Sequence, residues 1–154
     1  MILKTTAQTE AFGLYLGKKL KAYDVLALVG DLGTGKTTFV KALAKGMGLS
    51  SEVTSATFAI LNIYEGELPL YHFDVYRLKD EDEFFDMGGE DMLDSGAVCA
   101  VEWADIIADS LPEDVLRLEF TRIDEDTRDV KATGFGPRGK ELEEEVLAYE
   151  NSRL

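Results

Sequence analysis

The 154-residue chain is poor in residues that form cross-links: it contains one cysteine, Cys99, one histidine, His72, and three prolines. A single cysteine excludes an internal disulfide, and one cysteine with one histidine cannot provide the ligands of a structural zinc site. Cys99 is therefore interpreted as a small buried hydrophobe. With 45% hydrophobic residues and so little proline, the composition also excludes a disordered or collagen-like chain.

Long apolar runs are missing too. No run reaches the roughly 18 apolar residues of a membrane span. The start of the chain, MILKTTAQTEAF, has no apolar segment behind a basic one, as a secretion signal would have. These absences predict a cytoplasmic protein that is neither secreted nor inserted into a membrane.

Basic residues are outnumbered: 16 Lys and Arg stand against 30 Asp and Glu, a net charge of −14. Because binding to a nucleic acid backbone depends on Lys and Arg, we expect no strong direct contact with nucleic acid. Eight of the acids lie between residues 80 and 94, where no basic residue occurs. We interpret this segment as helix surface in water, and the alternative is a docking patch for a basic partner. Its expected apolar anchors are Phe84, Phe85, Met92 and Leu93.

Two short runs are apolar at every position, VLALV at residues 25–29 and AVCAV at 97–101. Such runs are typical of parallel strands covered on both faces, so they predict an α/β core. TFAILNIYEG and PLYHFDVYRL predict a hairpin, and DVLRLEFTRI and RDVKATGFG predict closing strands. WADIIADSL predicts a helix ended by Pro112, and GKELEEEVLAYENSRL a terminal helix. A first helix, capped by Thr6 or Thr9, is predicted from apolar residues at helical spacing, which are Phe12, Tyr15, Leu16 and Leu20.

The segment GDLGTGKT follows the first apolar run, and Gly30, Gly35, Lys36 and Thr37 satisfy the phosphate-loop pattern G-x-x-x-x-G-K-[ST]. Glycines allow backbone N–H groups to turn inward, and a helix N-terminus adds partial positive charge, so the loop suits a β-phosphate. Lys36 is expected to reach the β- and γ-phosphates, and the Thr37 hydroxyl to bind Mg²⁺. The expected nucleotide-binding positions of this loop are Asp31, Leu32, Gly33, Thr34, Gly35, Lys36, Thr37 and Thr38.

The strand, loop and helix in this order predict a P-loop NTPase-like fold with three layers. Its central sheet is expected to be mainly parallel with antiparallel additions, in a single domain over residues 1–154.

Two acids follow predicted strands. Glu102 comes directly after AVCAV and is predicted to bind the metal at the sheet edge where open α/β folds bind ligands. The alternative is an acid that stabilises a helix N-terminus. Asp74, in YHFDVYR, is predicted to orient water or to help hold the metal, and the alternative is an ion pair with Arg77. Lys36, Asp74 and Glu102 are thus the candidate catalytic residues.

Taken in order, GDLGTGKTT, SATF, YHFDVYRL, VCAVEW and LPEDVL resemble the motifs of the bacterial TsaE family, also called YjeE. The resemblance covers nearly the whole chain. It implies an ATPase of tRNA threonylcarbamoyladenosine synthesis, with ATP as substrate, Mg²⁺ as cofactor, and partner subunits of the TsaD and TsaB type.

The resemblance also implies roles for single residues. Thr37 and Glu102 would bind magnesium, and Asp74 would lie in the active site. Two weaker implications place Arg128 near the nucleotide and Thr9 beside the base of that nucleotide. A switch-like loop would contain Thr54, Ser55 and Thr57, and Trp103 would lie beside it.

Two positions depart from the family pattern: Thr34 replaces a common alanine, and Ala56 replaces a proline that would stiffen the loop. Two aromatic residues near the motifs have plainer interpretations. Trp103 could belong to the core, and His72 is interpreted as an ordinary strand residue that is hydrogen-bonded to its neighbours.

Two other functions fit the phosphate loop. A small-molecule kinase needs a lid with arginines, yet Lys79 is the only basic residue between Leu78 and Leu116. A nucleotide-sensing adaptor would bind ATP without useful turnover, whereas Glu102 and Asp74 favour hydrolysis. Because neither a glutamine nor an arginine finger is evident in the loops, turnover by the chain alone is predicted to be slow.

Overall fold

The computed structural model describes residues 1–30, 35–50, 55–57 and 60–153, with the backbone alone at 35–37, 55–57 and 77. The strands are β1 Ile2–Leu3, β2 Val25–Gly30, β3 Ser55–Thr57, β4 Leu61–Tyr64, β5 Leu70–Asp74, β6 Val98–Glu102, β7 Val115–Arg122 and β8 Arg128–Phe135. The α-helices are α1 Thr6–Gly17, α2 Gly35–Gly46, α3 Glu81–Asp86, α4 Gly89–Leu93 and α5 Gly136–Ser152, and 3-10 helices cover Val75–Arg77 and Ala104–Ser110.

Within the described residues, eight strands form one sheet in the order β1-β8-β7-β2-β6-β5-β4-β3. β2 is parallel to both β6 and β7, and β6 is also parallel to β5. The outer pairs are antiparallel, and they include the predicted hairpin of β4 and β5 and the closing strands β7 and β8. The predicted α/β fold, with a parallel centre and antiparallel additions, is confirmed.

The alternation of side chains along β2 divides the core into two parts. Leu26 and Leu28 pack with residues of α1, α2 and α5, whereas Val25, Ala27 and Val29 pack with residues of α3, α4 and the 3-10 helix Ala104–Ser110. We call these sides of the sheet the α2 face and the opposite face. Because both are covered, the runs at residues 25–29 and 97–101 are apolar at every position.

α1 and α2 lie against each other with glycine at the contact. A Cβ at Gly17 would collide with the carbonyl oxygen of Leu43, and one at Gly46 with the carbonyl oxygen of Leu14. The two backbones approach this closely because these residues have no side chain. The contact fixes α2, and therefore the helix start at Gly35, against the rest of the α2 face.

The start of α1 differs from the prediction. Its N-cap is Thr5, not Thr6 or Thr9: the backbone of Thr5 is extended, and its side chain accepts a hydrogen bond from the Gln8 N–H at 3.1 Å. Leu20 is buried but lies beyond the end of the helix at Gly17.

The acidic segment forms two short helices, α3 and α4. Phe84 and Leu93 are buried as predicted, but Phe85 is 62% exposed, so its expected role as an anchor is wrong. A helix of five or six residues turns few side chains toward the core, and the next residue after Phe84 points to water. Among the described helices, none is long and apolar enough to cross a membrane.

Candidate nucleotide and metal site

The candidate site begins where β2 ends. Gly30 has a φ of +88°, and a Cβ there would collide with the carbonyl oxygen of Phe120 on β7, so glycine is required on both grounds. α2 then begins at Gly35. The chain passes from the sheet edge to the helix N-terminus in four residues, which is the strand, loop and helix arrangement of a phosphate loop.

Several predicted site residues lie outside the described residues. These are Asp31, Leu32, Gly33, Thr34 and Thr54. For another group, the structure gives only the backbone position, at the start of α2 or in β3: Gly35, Lys36, Thr37, Ser55 and Thr57. Their roles in phosphate binding and in the switch-like loop stay predictions.

The two candidate acids lie side by side at the sheet edge. Asp74 and Glu102 are the last residues of β5 and β6, and they are register partners across this parallel pair. Leu28 of β2 is the register partner of Glu102 on the other side. Register partners point to the same face of a sheet, and Leu28 packs on the α2 face, so both acids face the side on which α2 begins. Glu102 is buried, whereas Asp74 is half-buried.

His72 contacts Glu102 directly. It precedes Asp74 by two residues, so it lies on the same face of β5. Its Nε2 atom is 2.7 Å from Oε2 of Glu102, and the His72 side chain is buried. His72 is a strand residue hydrogen-bonded to a neighbour, as expected, but that neighbour is the predicted metal ligand. The sequence analysis therefore missed His72 as a site residue, although the two-residue spacing in HFD was the signal for it.

Asp74 ends β5 and caps the turn that follows. Its Oδ1 accepts a hydrogen bond from the Tyr76 N–H at 3.2 Å, and its own N–H donates to the Ile60 carbonyl at 2.7 Å. This cap explains why the strand predicted over PLYHFDVYRL stops at Asp74 and continues as the 3-10 helix Val75–Arg77. The alternative ion pair with Arg77 involves a side chain outside the described residues.

Trp103 follows Glu102 and turns the chain away from the sheet. Its φ is +61°, which is unusual for a residue with a side chain, and its N–H donates to the Leu28 carbonyl at 3.1 Å. The indole is 44% exposed and lies 4.9 Å from the ring of Tyr76, measured between centroids. The alternative that Trp103 belongs to the core is therefore wrong. The rings of Trp103 and Tyr76 form an exposed aromatic pair directly beyond the two acids.

The weaker candidates lie farther along the fold. Arg128 begins β8, which β7 separates from β2, and its Nη1 donates to the carbonyls of Asp124, Glu125 and Thr127 at 2.9–3.2 Å. Arg128 thus holds the β7–β8 turn. Thr9 is buried within α1, and Thr38 is half-buried on α2.

One pKa shift on the α2 face involves Glu102. Burial, and after it the negative charge of Glu102, raise the pKa of Tyr64 on β4. On the opposite face, burial raises the pKa of the Cys99 thiol to about 12, which agrees with its prediction as a buried hydrophobe.

The described residues contain no group of three or more His, Cys, Asp and Glu side chains placed to hold a metal ion. Mg²⁺ in nucleotide sites does not need such a group, because it is usually bound by one or two carboxylates, water and the phosphates of the substrate. Glu102, a buried carboxylate at the sheet edge, fits that donor set.

Comparisons with known proteins identify the family and the fold. A family model described as threonylcarbamoyl adenosine biosynthesis protein TsaE matches residues 3–130. The chain belongs to the TsaE family. Among its TsaE relatives, the tRNA threonylcarbamoyladenosine biosynthesis protein of Bacillus subtilis is 42% identical over 145 residues, which cover 94% of this chain and 90% of the relative.

Further TsaE proteins are similar over most of their length. That of Streptomyces coelicolor is 40% identical, with 88% of this chain and 97% of the relative covered. That of Treponema pallidum is 37% identical, with 84% and 96% covered. The crystal structure of Bacillus subtilis YdiB superposes with a TM-score of 0.74 at 38% identity, covering 98% of this chain and 95% of that one. The TsaE fold therefore extends over nearly all of the chain.

Proposed function

We propose that this TsaE protein binds ATP with Mg²⁺ and hydrolyses it slowly, with stimulation by partner subunits, in tRNA threonylcarbamoyladenosine biosynthesis. The observation that carries the proposal is the register of the sheet. Asp74 and Glu102 end the neighbouring parallel strands β5 and β6, and β6 lies beside β2, which ends at Gly30 before the G-K-T segment that opens α2.

ATP binding rests on the phosphate loop. Backbone N–H groups of residues 31–38 would surround the phosphates, and Lys36 would add a positive charge. Thr37 and Glu102 would hold Mg²⁺, which neutralises phosphate charge when it is bound. Thr9 and Arg128 are proposed at the periphery of the nucleotide.

Hydrolysis requires a water molecule in line with the bond between the γ-phosphorus and the oxygen that leaves on ADP. Asp74, which is less buried than Glu102, is the proposed residue for orienting that water. The water oxygen forms a bond to phosphorus, the bond to the ADP oxygen breaks, and a proton of the water is released with phosphate.

Slow turnover by the chain alone is proposed because two of its arginines are engaged in other hydrogen bonds. Arg128 donates to carbonyls of the β7–β8 turn, and Arg138 is bidentate to Asp24, at 2.9 and 2.8 Å, far along the chain from either acid. Neither guanidinium is placed to stabilise a transferring phosphoryl group. An arginine supplied by a partner adds roughly three to five orders of magnitude in NTPases with this loop. We propose that subunits of the TsaD and TsaB type supply this stimulation.

The kinase alternative is disfavoured by the segment that would have to form a lid. α3 and α4 carry only acidic charges, and Lys79 is the only basic residue between Leu78 and Leu116. Acidic helices would repel a phosphorylated acceptor instead of binding it.

The proposal is tested by phosphate release from the isolated chain and from the chain with its partner subunits. We expect slow release alone, a large stimulation by partners, and loss of the stimulated rate in Glu102→Ala with ATP binding retained. Glu119→Ala, which removes an exposed acid on β7, is the matched control. Asp74→Ala should resemble Glu102→Ala if Asp74 orients water.

Two results would contradict the proposal. Fast phosphate release by the isolated chain would show that no partner is needed. Stimulated release that is undiminished in Glu102→Ala would show that Glu102 is not the metal ligand. ATP binding without turnover under any condition would support the nucleotide-sensing alternative.

A further inference from the structure

We propose that His72 is a positioning residue for Glu102: its Nε2–H donates to Oε2 of the carboxylate and fixes the direction in which Glu102 meets a metal ion. This inference rests on the proposed function, because it concerns the same metal ligand. It assigns a role to a residue that none of the phosphate-loop chemistry uses.

The geometry comes from the register of two strands. Ala100 is the register partner of His72, and Glu102 lies two residues farther along β6 on the same face. The imidazole therefore reaches diagonally across the β5–β6 pair, and Nε2 meets Oε2 at 2.7 Å. Both side chains are buried, with 10% and 2% of their surfaces exposed, so water competes little for this hydrogen bond.

The contact restrains one oxygen of the Glu102 carboxylate. A hydrogen bond to one carboxylate oxygen fixes the rotation of the group before a metal arrives, which is the common role of polar residues behind metal ligands. The donor must be Nε2–H, because an ionised carboxylate only accepts. The pairing therefore requires a proton on Nε2.

Packing alone does not explain a histidine at this position. His72 Nδ1 is buried and has no hydrogen-bond partner among the residues that the structure describes. A buried polar atom without a partner costs stability, so an apolar side chain of the same size would fill the space at lower cost. What an apolar side chain lacks is the donor toward Glu102.

The role is tested by metal affinity in a matched pair of variants. His72→Leu fills the space without a donor, whereas His72→Gln restores an N–H near the position of Nε2. Mg²⁺ is titrated in the presence of ADP, and the fluorescence of Trp103, the only tryptophan, reports binding. Residues behind metal ligands typically change affinity by about 10–100-fold, and we expect that loss in His72→Leu, with most of it recovered in His72→Gln.

A merely structural role makes a different prediction. His72→Leu would then change the melting temperature and leave Mg²⁺ affinity unchanged, and that outcome would overturn the inference. If the wild-type chain shows no Mg²⁺-dependent binding of ADP, the proposed function fails instead.

A second measurement needs no His72 variant. His72 is the only histidine, so ¹⁵N-labelled histidine gives the NMR signals of one ring. We expect Nε2 to carry a proton at neutral pH in the protein without nucleotide, and the ring signals to shift in Glu102→Ala. An unprotonated Nε2, or a spectrum unchanged by Glu102→Ala, would contradict the hydrogen bond itself.

Discussion

β5 and β6 carry different chemistry on their two faces. On the α2 face, His72 and Glu102 form a buried polar contact. On the opposite face, Phe73, Cys99 and Val101, from the same two strands, are buried in an apolar cluster. The backbone is shared, so the difference lies in side chains that alternate along each strand. Both faces pack in the core, and the α2 face of these strands also holds polar groups at the strand ends, near the phosphate loop.

The largest effect on stability is expected from truncating a buried side chain on the opposite face. Phe73 is fully buried and its ring lies 5.8 Å from that of Phe84, so Phe73→Ala should cost about 3–5 kcal/mol of the free energy of unfolding. Phe85→Ala, at an exposed position on the adjacent helix, should cost less than about 0.5 kcal/mol. Urea unfolding of both variants measures the difference, and equal losses would show that the packing of Phe73 on the opposite face does not stabilise the fold.

A smaller effect is expected from pH, through Cys99. Burial raises the pKa of its thiol from 9.0 to about 12, so the folded state keeps a proton that the unfolded chain loses. The stabilising contribution is therefore complete below pH 9 and declines as pH rises toward 12. The decline is about 1.4 kcal/mol per pH unit above pH 9.

Cys99→Ala is the control, because it has no thiol to titrate. The difference in unfolding free energy between wild type and Cys99→Ala should be constant from pH 7 to 8.5. By pH 10, wild type should have lost stability relative to Cys99→Ala. A difference that stays constant to pH 10 would contradict the burial of this thiol.

Local patterns in the sequence were enough to predict the apolar side of this comparison. The strands were predicted from VLALV, AVCAV and the hairpin segments, because strands that are buried on both faces consist of apolar residues. The glycine requirement at Gly30 followed from the motif and appears in the structure as a positive φ and a close contact with Phe120.

The polar side was predictable only in part. Glu102 and Asp74 were found because each follows a strand, whereas the contact of His72 with Glu102 joins residues 30 apart and depends on which strands are neighbours. Spacing within one segment does not specify that neighbour. The exposed pair of Trp103 and Tyr76 was missed for the same reason, because two successive strand ends bring it together.

Calorimetric titration with Mg-ATP tests most directly whether the α2 face carries the nucleotide site. Lys36→Ala removes the lysine of the phosphate loop, and Lys41→Ala removes an exposed lysine of the same helix as a matched control. Loss of a charge-assisted contact should weaken ATP binding by roughly 1.5–3 kcal/mol in Lys36→Ala, and Lys41→Ala should bind like wild type. A folded Lys36→Ala protein that binds Mg-ATP as tightly as wild type would contradict the account.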